Sequence, residues 1–155
     1  MPLKKTSPNA SGEKRPSGVA YIVGRLDHVL NKRLRDRLSP MGLTVPHYTA
    51  LSVFRSMGTL SNAQLAERTM VSPQSANEMV KIMETKGLIE KKPDPSHGRI
   101  IHISLTKAGL TLLERCDAEV LQVEALMFPE LREDELSWLH AQLRGAVRAL
   151  SLSDI

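Results

Sequence analysis

At 155 residues, with 41% hydrophobic residues and a formal net charge of +4, the chain suits one domain with its own core. Its 3% aromatic content disfavours a surface that stacks single-stranded nucleic acid, and no apolar run approaches a membrane span. The first residues lack the apolar centre of a signal peptide, and the single cysteine precludes an intramolecular disulfide, which fits a cytoplasmic protein.

Charge is unevenly placed. Residues 1–39 hold nine Lys and Arg against three Asp and Glu, residues 61–105 six against five, and residues 106–155 five against nine. Residues 1–17 combine three prolines, small polar residues and four basic ones, the composition of a disordered basic tail. From near Ser17 to Leu38 an apolar stripe (Val19, Ile22, Val23, Leu26, Val29, Leu30, Leu34, Leu38) repeats at helical spacing, and Ser39-Pro40-Met41-Gly42 ends that helix. A second helix starts at Thr44-Val45-Pro46 and carries Tyr48, Leu51, Val53 and Phe54 toward Met57.

Next comes the densest set of signals. Ser61 followed by Gln64 has capping-box spacing and predicts a short helix to about Thr69. After a tight Thr69-Met70-Val71 connection, Ser72 is a second cap with Pro73 at the first helical position. The helix that follows has Ala76, Met79, Val80 and Met83 on one face and Gln74, Asn77, Glu78 and Lys81 on the other, with Ser75 on the flank. Gly87 stops it. Leu88–Lys92 and Arg99–Ser104 read as two strands around a Pro93–Gly98 loop with two prolines. The whole is a helix-turn-helix with a wing.

Readers of this kind insert the start of their second helix into the major groove. Gln and Asn can pair bidentately with adenine, Ser can contact bases or phosphate, and Lys can serve guanine or phosphate, whereas Glu78 repels phosphate. A solvated helix face is the plain alternative. For Arg99, at the loop's return, two roles stand open: reaching into a narrow minor groove, or a salt bridge to Asp94.

Thr106 caps a long helix, Lys107 to about Met127, with Leu112, Leu113, Cys116, Val120, Val123, Leu126 and Met127 as its apolar set. Past Pro129, a final helix from about Glu133 carries Leu136, Leu139, Leu143, Val147 and Leu150 at a helix-packing spacing. A winged unit of 45 residues (61–105) cannot cover all these stripes. The expectation is therefore that the first and last helices pack together and against those of a second copy. That makes a two-fold dimer whose reading helices meet half-sites about one DNA turn apart. The expected class is mainly α. Residues 18–43 and 106–155 form a helical dimerisation region, and 44–105 a winged helix-turn-helix region.

With LSNAQLAERTMVSPQSANEMVKIMETKGLIEKKPDP, RIIHISLTKAG and GLTVPHYTAL in hand, the chain resembles the MarR family of transcriptional regulators over roughly residues 18–150. The resemblance implies a homodimer on pseudo-palindromic operator DNA, usually a repressor, released by a small molecule or by cysteine oxidation. It carries Ser72, Gln74, Ser75, Asn77 and Lys81 onto base- and phosphate-reading positions and Arg99 onto the wing arginine. The family wing commonly has Asp-x-Arg, where this chain has His97-Gly98-Arg99. The pinning acid is missing, so either Asp94 substitutes for it or the tip is looser, and protonation of His97 would tighten binding below about pH 6.5.

The resemblance also implies an effector pocket between the helical region and the winged unit. Arg25, His28, His47, Tyr48 and Arg55 are candidates for holding a small aromatic or phenolic acid, each also readable as a solvated or packing residue. Cys116 lies in an apolar stripe beside Glu114 and Asp117, which raise a thiol pKa. It reads as structural, with a redox-responsive regulator as the alternative. The five histidines are scattered, with no metal-ligand pair on one helix face, and no nucleophile–base pair or phosphate loop appears. No metal, cofactor or catalysis is expected. The rival from another class is a winged-helix protein-interaction module without DNA binding, which the near-neutral reading unit favours.

Overall fold

The computed structural model describes residues 18–151, so the expected basic tail lies outside the described residues. The order is α1 (Val19–Leu38), a 3-10 turn (Ser39–Met41), α2 (Val45–Met57), α3 (Asn62–Thr69) and α4 (Pro73–Thr85). Then come β1 (Ile89–Pro93), β2 (Ile101–Leu105), α5 (Lys107–Met127) and α6 (Glu133–Ser151). The fold is mainly α with one antiparallel hairpin, as expected.

Four hydroxyl caps punctuate the chain. Thr44, Ser61, Ser72 and Thr106 accept from the backbone N–H of His47, Gln64, Ser75 and Gly109, each satisfying one donor left open by a helix start. At α3 the Gln64 side chain answers by accepting from Ser61 N–H at 2.9 Å, completing the capping box. At α2 the reciprocal acceptor is Nδ1 of His47, at 3.5 Å. Between α3 and α4 the chain turns through Met70, whose φ of 55° lies in the left-handed region. That conformation costs a non-glycine residue roughly 1–2 kcal/mol, and Met70 is 88% exposed there.

The apolar faces meet in one core. Leu38 and Leu43 from the first turn of the chain, Leu51 and Phe54 from α2, and Leu65 from α3 are fully or almost fully buried. With them lie Val80 and Met83 from α4, Ile103 from β2, and Leu113 and Cys116 from α5. Ala66 and Ala76 are buried where α3 and α4 cross. Within one chain α1 packs along α5, not α6, because Leu34 and Leu38 are taken up by this core. Among the described residues α6 makes no extended packing with any element. Its Leu143, Val147 and Leu150 stand exposed, as do Val19, Ile22, Val23 and Val29 of α1.

Both strands start later than expected, β1 by one residue and β2 by two. Ile89 pairs Leu105 and the ladder runs out to Pro93 opposite Ile101, so Arg99 and Ile100 belong to the loop. Proline is tolerated there because a two-stranded ribbon has free edges. Leu88 has left the ladder for the base of the wing, where its carbonyl accepts from Thr106 N–H. Leu60 adds a single bridge to Ile103, fastening the start of the helix-turn-helix to the wing.

One carboxylate closes the wing loop, and Arg99 is not its partner. Asp94 Oδ1 accepts from the N–H of Ser96 (2.7 Å) and His97 (2.9 Å), and its Oδ2 meets His102 Nε2 at 2.7 Å. His102 is therefore the histidine paired with acid, and His97 contributes its backbone.

Gly109, in the first turn of α5, is held against the wing base. A Cβ there would lie 2.0 Å from the carbonyl oxygen of Leu88. Gly109→Ala should lower the unfolding free energy by about 1–3 kcal/mol in urea titrations, despite alanine's better helix propensity. The Asp94 carboxyl is held below the usual carboxylate range, first by His102 and then by the two amides. Such a group keeps its contribution above its unfolded pKa and loses it as pH falls through the depressed folded value. Exchange protection of the Ser96 and His97 amides should thus persist down to about pH 4 and fade below it. In His102→Phe the loss should move to higher pH. An unchanged midpoint would mean that the amides alone hold the carboxylate.

Candidate nucleic-acid interface

The polar face of α4 starts at its cap and points away from the core, opposite Ala76, Met79, Val80 and Met83. Ser72, Gln74, Ser75, Asn77 and Lys81 are all exposed. Not all are equally free. The Ser72 hydroxyl accepts from Ser75 N–H and donates to Ser75 Oγ at 2.9 Å, so its hydrogen bonds are spent on holding the helix start. Gln74 Nε2 faces Glu78 Oε1 at 3.5 Å, a long contact that gives Glu78 a local donor to accept from. Asn77 and Lys81 carry no side-chain hydrogen bond or ion pair among the described residues, so their groups are open to an incoming ligand.

The start of α4 is anchored by a residue that sequence reasoning missed. Asn62 Nδ2 donates to the Pro73 carbonyl at 3.1 Å, tying the first turn of α3 to the first turn of α4. Its Oδ1 is buried without a partner. No sequence signal marks it, since an asparagine beside a serine cap reads as ordinary helix-start composition.

The cations of the wing divide sharply. Lys91 pairs with Glu84 and Lys92 with Glu90, both at 2.8 Å. Arg99 is exposed with no ion pair or hydrogen bond among the described residues, so of its two open roles the salt bridge to Asp94 is not formed. Arg68, at the end of α3, is likewise exposed and unpaired.

The five effector candidates fall apart into separate places. Tyr48 and Arg55, two turns apart on α2, both bind Asp117 of α5. The Tyr48 hydroxyl donates to Oδ1 at 2.8 Å, Arg55 Nη2 reaches the same oxygen at 3.4 Å, and Arg55 Nη1 donates to Oδ2. Burial and Asp117 push the Tyr48 phenol up to about 12, and Arg55 holds the Asp117 carboxyl below the usual range. His47 is only 8% exposed, and burial, then the charge of Lys86, lower its pKa, which suits a neutral capping residue. Arg25 and His28 lie elsewhere, along a shallow groove of about 370 Å³ lined by α1 residues alone, with Arg25 over the Tyr21 ring. Cys116 is fully buried, 3.9 Å from Met41 Sδ, and burial, followed by Asp117, raises its thiol pKa. That is the environment of an inert packing residue.

Comparison with known proteins narrows the reading. The family model described as MarR family matches residues 41–100. The chain is 31% identical over 113 residues to the HTH-type transcriptional repressor Rv2887 of Mycobacterium tuberculosis, covering 73% of this chain and 81% of that protein. It is 26% identical over 127 residues to the multiple antibiotic resistance protein MarR of Escherichia coli, covering 79% and 88%. Among solved structures, a mutant E. coli MarR in complex with operator DNA superimposes with a TM-score of 0.72 at 21% identity, over 83% of this chain and 92% of that one. Rv2887 in complex with salicylic acid gives a TM-score of 0.68 at 28% identity, over 84% and 96%. With that identity and coverage to Rv2887 and the family model over its helix-turn-helix and wing, this chain belongs to the MarR family.

Proposed function

We propose that this protein is a sequence-specific DNA-binding transcriptional regulator, acting as a repressor and a homodimer on pseudo-palindromic operator DNA. The observation that carries the reading is the exposed polar start of α4, anchored at Ser72 and Asn62, beside a wing whose arginine is left unpaired. Gln74, Ser75, Asn77 and Lys81 face the major groove in this reading, and Arg99 the minor groove. Ser72 serves chiefly as the cap that aims them. The relative named as a transcriptional repressor, Rv2887, and the operator complex of E. coli MarR support it.

The dimer would form through residues 18–43 and 106–155, leaving 44–105 as the reading region. Its support is the exposed apolar residues of α1 and α6, reaching 81% exposure at Val19 and 74% at Leu150, which one chain leaves uncovered. A small aromatic or phenolic acid is the proposed effector, supported by the salicylic acid complex of Rv2887. Tyr48 and Arg55 are the pair of candidate contacts that the fold brings together, and an acid bound there would compete with the carboxylate of Asp117.

Binding to operator and random duplexes over a range of salt tests the reading, since phosphate contacts by Lys and Arg release counterions and make affinity fall steeply with salt. Asn77→Ala should cost about 1–3 kcal/mol and relax preference at the base pair it reads. Arg99→Ala should weaken all sequences more evenly and reduce the salt slope by about 1. No binding at low salt would instead favour a protein-interaction module. Leu143→Asp with Val147→Asp should give a monomer in sedimentation and weaken operator binding while α4 and the wing stay folded.

A further inference from the structure

The reading unit and the long helices share one apolar core, with Leu51 and Phe54 of α2 and Leu113 and Cys116 of α5 among its members. Such contacts hold two bodies together without fixing the angle between them. Directional contacts do that, and in the middle of α5 they converge on Asp117. Two side chains of α2, Tyr48 and Arg55, bind its two oxygens, so α2 is fixed at points two turns apart against a single position on α5. A hydrogen bond at two separated points resists rotation, which one contact cannot. The carboxylate is itself shielded, with its side chain 27% exposed, and the Arg55 hydrogen bond holds it below the usual carboxylate range.

Other polar contacts between the unit and the long helices lie at the two ends of the joint. Lys86 Nζ donates to the Gly42 carbonyl, and Thr106 Oγ1 donates to the Gly87 carbonyl at 2.6 Å. Both bind backbone at a turn. Among the described residues, only the Asp117 cluster joins helix to helix by side chains across the middle.

The consequence lies in the geometry of DNA. Two half-sites one base pair further apart are displaced by about 3.4 Å and rotated by roughly 34° about the duplex axis. A dimer can follow that change only if its reading units turn relative to the long helices. We propose that Asp117, through Tyr48 and Arg55, is a positioning residue that fixes the half-site spacing the dimer accepts, without contacting DNA. The inference rests on the DNA-binding reading and names a determinant of its specificity.

The experiment is selection of duplexes from a pool with a fixed half-site pair and spacers varied by single base pairs. It uses the full chain as wild type, Asp117→Asn, Tyr48→Phe, Arg55→Met and Arg55→Lys. Wild type should enrich one spacing over its neighbours. Asp117→Asn and Arg55→Met should lower that enrichment by about tenfold, the size of a coupling between residues in contact, with the half-site sequence preference retained. Tyr48→Phe should lower it less, and Arg55→Lys should restore most of it. A loss of affinity at every spacing alike, or an unchanged spacing preference in Asp117→Asn, would overturn the proposal while leaving the DNA-binding reading intact. A wild-type protein that selects no duplex would overturn that reading and the joint with it.

Discussion

The place where α5 begins governs how the reading elements are held. Thr106 caps the helix through Gly109 N–H, donates its own hydroxyl proton to the Gly87 carbonyl, and donates its backbone N–H to Leu88. Gly109 lets the Leu88 carbonyl approach where any Cβ would collide. The end of α4, the base of the wing and the start of the long helix thus meet at one junction. Because Leu60 also bridges to Ile103, the beginning of the helix-turn-helix is fastened to the same hairpin. The reading helix and the wing are therefore parts of one rigid body, and any relative movement must occur between that body and the rest of the long helices.

Electrostatics refine the picture of what that body offers. The unit's excess of basic over acidic residues is small, and two wing lysines are neutralised by glutamates in their own neighbourhood. Exposed ion pairs of this kind add little to stability, but they remove charge that phosphate would otherwise meet. Among the described residues of the unit, attraction then depends on a few unpaired cations, Arg68, Lys81 and Arg99, whose placement matters more than the total. Arg99 owes its freedom to Asp94, which turns its carboxylate toward the loop amides and His102.

The flanking helices show the opposite imbalance. They carry apolar side chains in excess of what one chain covers: α1 is buried only toward its C-terminal end, and α6 has no buried residue. Leaving such a row in water forgoes about 25 cal/mol for each Å² of apolar surface, so a second copy is the natural cover. The two-fold arrangement proposed above answers that excess and gives the reading bodies a partner at a fixed distance.

Much of the local structure was legible in the residues. Hydroxyl caps at Thr44, Ser61, Ser72 and Thr106, the proline at the start of α4 and the stripes at helical spacing are short-range patterns, and each acts within a few turns of its own chain. The exposed face of α4 followed from the same periodicity, since four buried positions on one side leave the rest outside. The contacts made across the chain were not legible. Nothing in the sequence distinguishes His102 from His97 as the partner of Asp94, because that choice depends on the strand register, which the residues alone do not set. Nor does it show that Tyr48 and Arg55 share Asp117, which lies more than sixty residues away. Nor does it place Arg25 and His28 apart from them. Sequence determined which segments are helices and which faces turn inward, because those rest on propensity and period. Tertiary structure alone decided which charged and polar groups find each other, because hydrogen bonds are short and directional and respond to the packing angle between elements.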